Sequence, residues 1–345
     1  MIKVAVLDDY LGVVRDAADW DTLPGNIDVH VFFDHLSDED AIAERLRDFA
    51  VVVGMRERTP FRKSLLEKLP NLALLVTLGK INPSFDLQRA TELGIVVSGT
   101  EVLGADPIEL TWGLILAIAR NIPREDQATR EGLWQTSIGV RLAGKTLGVF
   151  GLGRIGSQVA LVGKAFQMSV IAWSQNLTME RAQECGATLV TKDRLLSHSD
   201  IVTLHLRLGD RTRGVIGTRE FEKMKSTAYL VNTARSGLLD EAALIDALQK
   251  HAIAGAALDV FDQEPLPPDH PLRNIENTVI TPHLGGVTVD RYRADYNQVI
   301  ENILSHLAGI PLRVLNTEVL ERPNRRRLGV VARKKIPRAQ ALGSS

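Results

Sequence analysis

Three glycines in the stretch GLGRIG, Gly151, Gly153 and Gly156, have the spacing in this sequence that most directly implies chemistry. Gly151 permits a tight turn, Gly153 lets the backbone approach a pyrophosphate, and Gly156 lets a helix pack closely on a strand. The pattern carries meaning only on a strand-to-helix turn. Lys145–Phe150 (KTLGVF) reads as that strand, and Ile155, Val159, Val162 and Phe166 recur behind it at helical spacing. A helix that begins there aims unpaired N–H groups and the positive end of its dipole at bound phosphates. The stretch therefore predicts a dinucleotide site.

The elements that must position this turn are a Rossmann-type α/β series. Strands are expected at Leu147–Phe150, Val170–Trp173, Thr188–Val190, Ile201–Leu206, Ala228–Asn232, Ala254–Leu258 and Thr278–Thr281. Helices are expected near 156–166, 179–184, 193–197, 218–224 and 240–249. Ahead of them, apolar runs at Ile2–Leu7, Val29–Phe33, Val51–Gly54, Leu72–Thr77 and Ile95–Val97 alternate with helical stretches at Asp40–Arg47, Phe61–Lys68 and Ser84–Glu92. Continuous apolar strands alternating with helices indicate a parallel sheet covered on both faces. Asp106-Pro107 reads as an N-cap and first helical residue. The apolar helix Glu109–Arg120 that follows is expected to lie buried between domains. Residues 121–143 read as polar and irregular, with Trp134 exposed or clamped against a neighbour. Asp290–Leu307 reads as a long amphipathic helix returning to the first domain.

Composition bounds the rest. The 345 residues suggest about two domains. Hydrophobic residues at 45% and charged residues at 24% fit a globular chain with a sizeable core. A net charge of −1 gives no global basic excess toward nucleic acid. The single cysteine, Cys185, excludes an intrachain disulfide or a cysteine-based metal cluster, and no metal is expected. A strand at the N-terminus without a signal peptide, and no long apolar run, suggest a cytoplasmic protein without a membrane span. Residues 321–345 hold eight basic residues and one acid, and the tail from 319 onward reads as solvated and disordered.

The glycine stretch is joined by VNTARSGLLDEAAL (231–244), ALDVFDQEP (257–265) and TPHLGG (281–286). In order and spacing these resemble the D-isomer-specific 2-hydroxyacid dehydrogenases over roughly residues 1–316. The resemblance implies an NAD(P)-binding Rossmann domain, 99–291, inserted into a discontinuous flavodoxin-like substrate domain, 1–98 with 292–318, with the site in the cleft between them. It also implies a catalytic arginine, glutamate and histidine at Arg235, Glu264 and His283. Their chemistry suits hydride transfer from a small D-2-hydroxy acid. Neutral His283 takes the hydroxyl proton on oxidation and the protonated ring returns it on reduction. Glu264 orients the ring and stabilises the imidazolium. Arg235 grips a carboxylate through two parallel hydrogen bonds and polarises the 2-oxo group.

Further positions follow from the same resemblance. NAD or NADP is expected to contact Arg154 and Ile155 along the pyrophosphate, and Asn232, Thr233 and Ala234 by backbone. Contacts are also expected at Leu206, Arg235, His283 and Gly285, and Asp259 should accept from the carboxamide. Leu78, Gly79 and Lys80 fall where backbone N–H groups bind the substrate carboxylate, and Arg56 falls near the same place. Arg235 and His283 serve the substrate as well. His205, His30, His198 and His251 read as structural. The segment around Trp134 resembles an intersubunit arm, so a homodimer is expected. The same fold also serves NAD-sensing corepressors, the alternative reading, which the basic tail slightly favours.

Three departures matter. The usual Arg-Gly is Arg235-Ser236, and the substrate loop reads TLGKINPS, which leaves the substrate open. The acidic residue expected after the second Rossmann strand is replaced by Ser174. Ser174, Gln175 and Asn176 can hydrogen-bond a 2′-phosphate, yet no arginine occurs before Arg181. NADP(H) is therefore expected to be accepted, alongside NAD(H).

Overall fold

The apolar runs form buried parallel strands in two units of the computed structural model, which describes residues 1–101 and 106–328. Unit 1 comprises Met1–Gly104 and Val289–Ser345, and unit 2 comprises Ala105–Thr288. Unit 1 holds β1 (Ile2–Val6), α1 (Val14–Ala17), β2 (Ile27–Val31), α2 (Glu39–Leu46), β3 (Val51–Gly54), α3 (Lys63–Glu67), β4 (Leu74–Thr77), α4 (Leu87–Glu92) and β5 (Val96–Ser98). Its sheet order is β2-β1-β3-β4-β5, the flavodoxin-like order, with Val4 opposite both Val29 and Val51. Leu46, Leu65, Leu66, Leu72 and Leu75 fill one face of its core.

Unit 2 begins with α5 (Asp106–Ala119) and α6 (Ile122–Arg130). It continues through β6 (Thr146–Phe150), α7 (Arg154–Ala165), β7 (Ser169–Trp173), α8 (Met179–Glu184), β8 (Thr188–Leu189), α9 (Lys192–His198) and β9 (Ile201–Leu204). It ends with α10 (Thr218–Phe221), β10 (Tyr229–Asn232), α11 (Glu241–Gln249), β11 (Gly255–Leu258) and β12 (Thr278–Ile280). The sheet is wholly parallel, in the order β12-β11-β10-β9-β6-β7-β8. Side chains alternate across it: Leu147 and Val149 pack with Trp112 and Ile115 of α5, while Phe150 joins Leu204 and Leu230 on the other face. The first and last described residues of unit 2 meet, because Thr288 Oγ1 donates to Asp106 Oδ1 at 2.8 Å.

The last long helix, α12 (Val289–Leu307), belongs to unit 1. Buried polar side chains stitch it to the exit of β5. Gln298 Oε1 accepts from Glu101 N–H at 2.7 Å, Asn302 donates to Gly99 O at 2.9 Å, and Asp295 accepts from Thr100 Oγ1 at 2.6 Å.

Four expectations need correction. Residues 121–143 are not irregular throughout: α6 occupies Ile122–Arg130, stabilised by side-chain pairs four apart, Asp126–Arg130 and Gln127–Glu131. The buried side chains of α5 pack within unit 2, beneath α7 and β10–β12. The boundaries 98/99 and 291/292 move to 104/105 and 288/289. Finally, the basic segment is ordered where it is described. Arg326 donates to the carbonyls of Leu69 and Leu72 at 3.0 and 2.7 Å, Asn324 donates to Glu92 O, and Leu328 is buried. The basic run reads as solvated charge, but Arg326 satisfies carbonyls that the α3–β4 turn leaves open. The remaining basic residues, Arg333, Lys334, Lys335 and Arg338, lie outside the described residues. No helix among the described residues is long and apolar enough to cross a membrane.

Candidate active site

The glycine turn sits where strand order reverses, between β6 and its neighbours β7 and β9. Gly151 has φ +93°, a conformation that strains any side chain, and Leu206 and His205 close over it. A Cβ on Gly156 would stand 1.9 Å from Gly151 O, so the helix can approach the turn only with glycine there. Gly153 is the N-cap of α7, without a capping side chain, and nothing lies within 4 Å of where its Cβ would be. Arg154 and Ile155 open the helix. The turn thus leaves a bare backbone cradle at the positive end of a twelve-residue helix, which fits a pyrophosphate.

His205, just past β9, bonds Thr203 Oγ1 at 2.9 Å through Nε2. Burial pushes its pKa down to about 4, so the ring is neutral near pH 7. It supports the turn as a packed side chain, as the sequence indicated. Ser174 follows β7 directly, behind Trp173, which meets Phe150 edge-on at 5.4 Å.

Arg235, Glu264 and His283 follow β10, β11 and β12, three adjacent strands, at their C-terminal ends. His283 Nδ1 lies 2.6 Å from Glu264 Oε2, and Glu264 Oε1 accepts from Phe261 N–H at 2.9 Å. A carboxylate only accepts, so Nδ1 carries the proton and Nε2 is the nitrogen left for chemistry. His283 has φ +55°, an uncommon conformation for a non-glycine residue. Asp259 holds the turn that imposes it. Its Oδ1 accepts from Thr281 Oγ1 at 2.6 Å and Leu284 N–H at 2.7 Å, and its Oδ2 accepts from Gly285 N–H at 2.9 Å. Burial pushes the Asp259 carboxyl up against the pull of these donors. Asp259 was expected to serve the carboxamide, but here it first serves the histidine loop.

The loop carrying Arg235 is braced by Asn232, whose Nδ2 donates to Arg235 O at 3.0 Å and whose Oδ1 accepts from Ala234 N–H at 3.0 Å. Arg235 Nη1 donates to Ala234 O at 2.7 Å. Thr233 meets a residue that the sequence did not single out: its hydroxyl lies 2.7 Å from that of Thr111 in α5. Thr111, wholly buried, also lies 2.6 Å from Pro107 O. Thr281, which opens the TPHLGG stretch, was given no role of its own. Thr111 has no sequence signal, because its partner lies 122 residues away.

The substrate residues expected in unit 1 lie at the C-terminal ends of β3 and β4. Arg56 has φ +53°, and its Nε lies 3.6 Å from Glu57 Oε2. The three-donor clamp implied for Leu78, Gly79 and Lys80 is not preformed. Gly79 N–H donates to Thr100 Oγ1 at 2.8 Å, and Leu78 N–H points at Gly54 O at 3.4 Å. A ligand carboxylate would have to take Gly79 N–H from Thr100. Lys80 is exposed.

Comparisons with known proteins identify the family. A sequence model of the D-isomer specific 2-hydroxyacid dehydrogenase NAD binding domain matches residues 112–285. The chain is 41% identical over 268 residues to glyoxylate reductase of Aeropyrum pernix, covering 74% of this chain and 80% of that protein. It is 38% identical over 283 residues to D-3-phosphoglycerate dehydrogenase of Archaeoglobus fulgidus, covering 81% of this chain but only 53% of that longer protein. The crystal structure of phosphoglycerate oxidoreductase from Vibrio cholerae superposes with a TM-score of 0.85 at 35% identity, over 90% of this chain and all of that one (100%). The chain belongs to the D-isomer-specific 2-hydroxyacid dehydrogenase family. It is an oxidoreductase of CH–OH donors that takes a nicotinamide dinucleotide.

Proposed function

We propose that this chain moves a hydride between a nicotinamide dinucleotide and a small D-2-hydroxy or 2-oxo acid, with His283 as acid/base. The observation that carries this is the 2.6 Å bond between His283 Nδ1 and a Glu264 held from its other oxygen by Phe261 N–H. The nicotinamide, when bound, gives or takes the hydride. Glu264 fixes the tautomer and stabilises the imidazolium, so Nε2 exchanges the proton with the substrate oxygen. Arg235 binds the substrate carboxylate and draws electron density from the 2-oxo group. Gly151, Gly153, Arg154, Ile155, Gly156, Leu206 and Gly285 hold the dinucleotide. The test is a panel of glyoxylate, hydroxypyruvate and phosphohydroxypyruvate with NADH and NADPH, for the parent and for His283→Ala. Turnover in the variant equal to the parent, or none in the parent with any acid, would sink the reading.

The chain acts as a two-fold homodimer in this proposal. Leu133, Trp134 and Ile138 are 54%, 79% and 96% exposed, an apolar row that a second copy would cover. Light scattering that shows a monomer at micromolar concentration would refute it.

A further inference from the structure

Cofactor choice turns on what stands beside the ribose 2′ position at the end of β7. The three residues after β7, Ser174, Gln175 and Asn176, include no acid, and Ser174 and Asn176 carry donors. The nearest arginine in sequence, Arg181, is spoken for: it pairs with Glu184 at 3.1 Å within α8. The fold brings a different cation to the place. Gln175 Nε2 donates to the backbone carbonyl of Arg211 at 2.9 Å, across 36 residues. That bond joins the turn after β7 to the loop after β9, Arg207–Arg213.

This loop is firmly shaped. Thr212 Oγ1 donates to Arg207 O at 2.6 Å and accepts from Gly209 N–H at 2.9 Å, while Arg213 N–H closes on Gly209 O. It carries Arg207, Arg211 and Arg213 against one acid, Asp210. None of the three arginines forms an ion pair among the described residues. Arg213 Nη1 lies against Gly237, about 3.1 Å from where a Cβ would sit, in the turn behind Arg235. Arg211 is exposed, and it is the residue that the Gln175 bond fastens beside Ser174.

We propose that Arg211, tethered by Gln175, pairs with the 2′-phosphate of NADP(H), with Ser174 and Asn176 as its hydrogen-bonding partners, and that NADPH is the preferred cofactor. A guanidinium presents paired donors to phosphate oxygens, and the phosphate carries nearly two negative charges near neutral pH. The inference rests on unit 2 being the dinucleotide domain.

The experiment is a fluorescence titration of the full chain with NADPH and with NADH, for the parent, Arg211→Ala, Gln175→Ala and, as a control, Arg207→Ala. The parent should bind NADPH more tightly than NADH. Arg211→Ala should weaken NADPH about 10- to 100-fold and leave NADH within about threefold. Gln175→Ala should give a smaller loss of the same kind, and Arg207→Ala none. An NADPH loss in Arg207→Ala alone, equal losses of both cofactors in Arg211→Ala, or a parent that binds only NADH overturns the proposal while sparing the family reading. Binding of neither cofactor by a folded parent overturns the dinucleotide site itself.

Discussion

Both units place a strand-to-helix turn at a switch point, after β1 in unit 1 and after β6 in unit 2, yet only one turn is open to an anion. In unit 1 the residues after the strand are Asp8 and Asp9, both buried. Asp9 accepts from Val13 N–H and Val14 N–H, each at 3.1 Å, so the start of α1 is sealed by the chain's own carboxylate. Asp8 is consumed by His35 and Thr59, each at 2.8 Å. In unit 2 the same place holds Gly151 and Gly153, and α7 starts with no side-chain cap. Topology supplies the crevice in both sheets. Whether a phosphate can use it depends on who satisfies the first N–H groups of the helix.

Exchanging the two characters tests this directly. Gly153→Asp has room for its side chain and should cap α7. Affinity for either dinucleotide should fall by about 100-fold or more through repulsion of the pyrophosphate. The melting temperature should hold or rise slightly. Calorimetric binding and thermal unfolding read both, and undiminished affinity would break the comparison.

The next effect concerns the open unit's chemistry. Glu264→Gln keeps the shape but withdraws the charge beside His283. Near neutral pH the reduction rate should drop roughly tenfold or more. The measurement is kcat in both directions with chemistry rate-limiting. An unchanged kcat would remove Glu264 from the mechanism.

A smaller effect is expected in the sealed turn. Asp9→Ala leaves two N–H groups without their acceptor and should cost about 1–2 kcal/mol of stability in chemical denaturation. It should not create a second dinucleotide site, because the buried Asp8 carboxylate stays beside the turn and repels a phosphate. A second equivalent of bound cofactor would contradict that.

The smallest effect is shared. Burial pushes His205 in unit 2 and His306 in unit 1 each down to about 4. Between their unfolded value near 6.5 and about pH 4 the unfolded chain binds more protons than the folded one. Stability is therefore full above pH 6.5 and falls as pH drops toward 4. Replacing either histidine by glutamine should flatten this loss by about 0.7 kcal/mol between pH 7 and 6. Unchanged acid sensitivity would show that neither ring stays neutral on folding.

The strands, the glycine turn and the order of Arg235, Glu264 and His283 were legible because each rests on local pattern: apolar runs, glycine spacing and short motifs. Features built from distant partners were not. α6 was missed because its polar sequence follows Asn121, a left-handed residue that reads as a break. Thr111 meets Thr233 across 122 positions, and nothing in either neighbourhood announces it. Arg326 looked like one more solvated charge in a basic run, whereas it closes two carbonyls more than 250 residues earlier. Along the chain the first arginine after Ser174 is Arg181, while the sheet brings Arg211 from the loop after β9.

The hydrogen bond between Asp106 and Thr288 bears on how a discontinuous unit can fold at all. It means that the described ends of unit 2 lie within side-chain reach of each other. In chain-entropy terms, an insert with adjoining ends costs its host about what a short loop would. The entropy of bringing two ends together grows only slowly with the length between them, and here it is met by the folding of unit 2 itself. A guest with adjoining ends can change in length or content without disturbing its host.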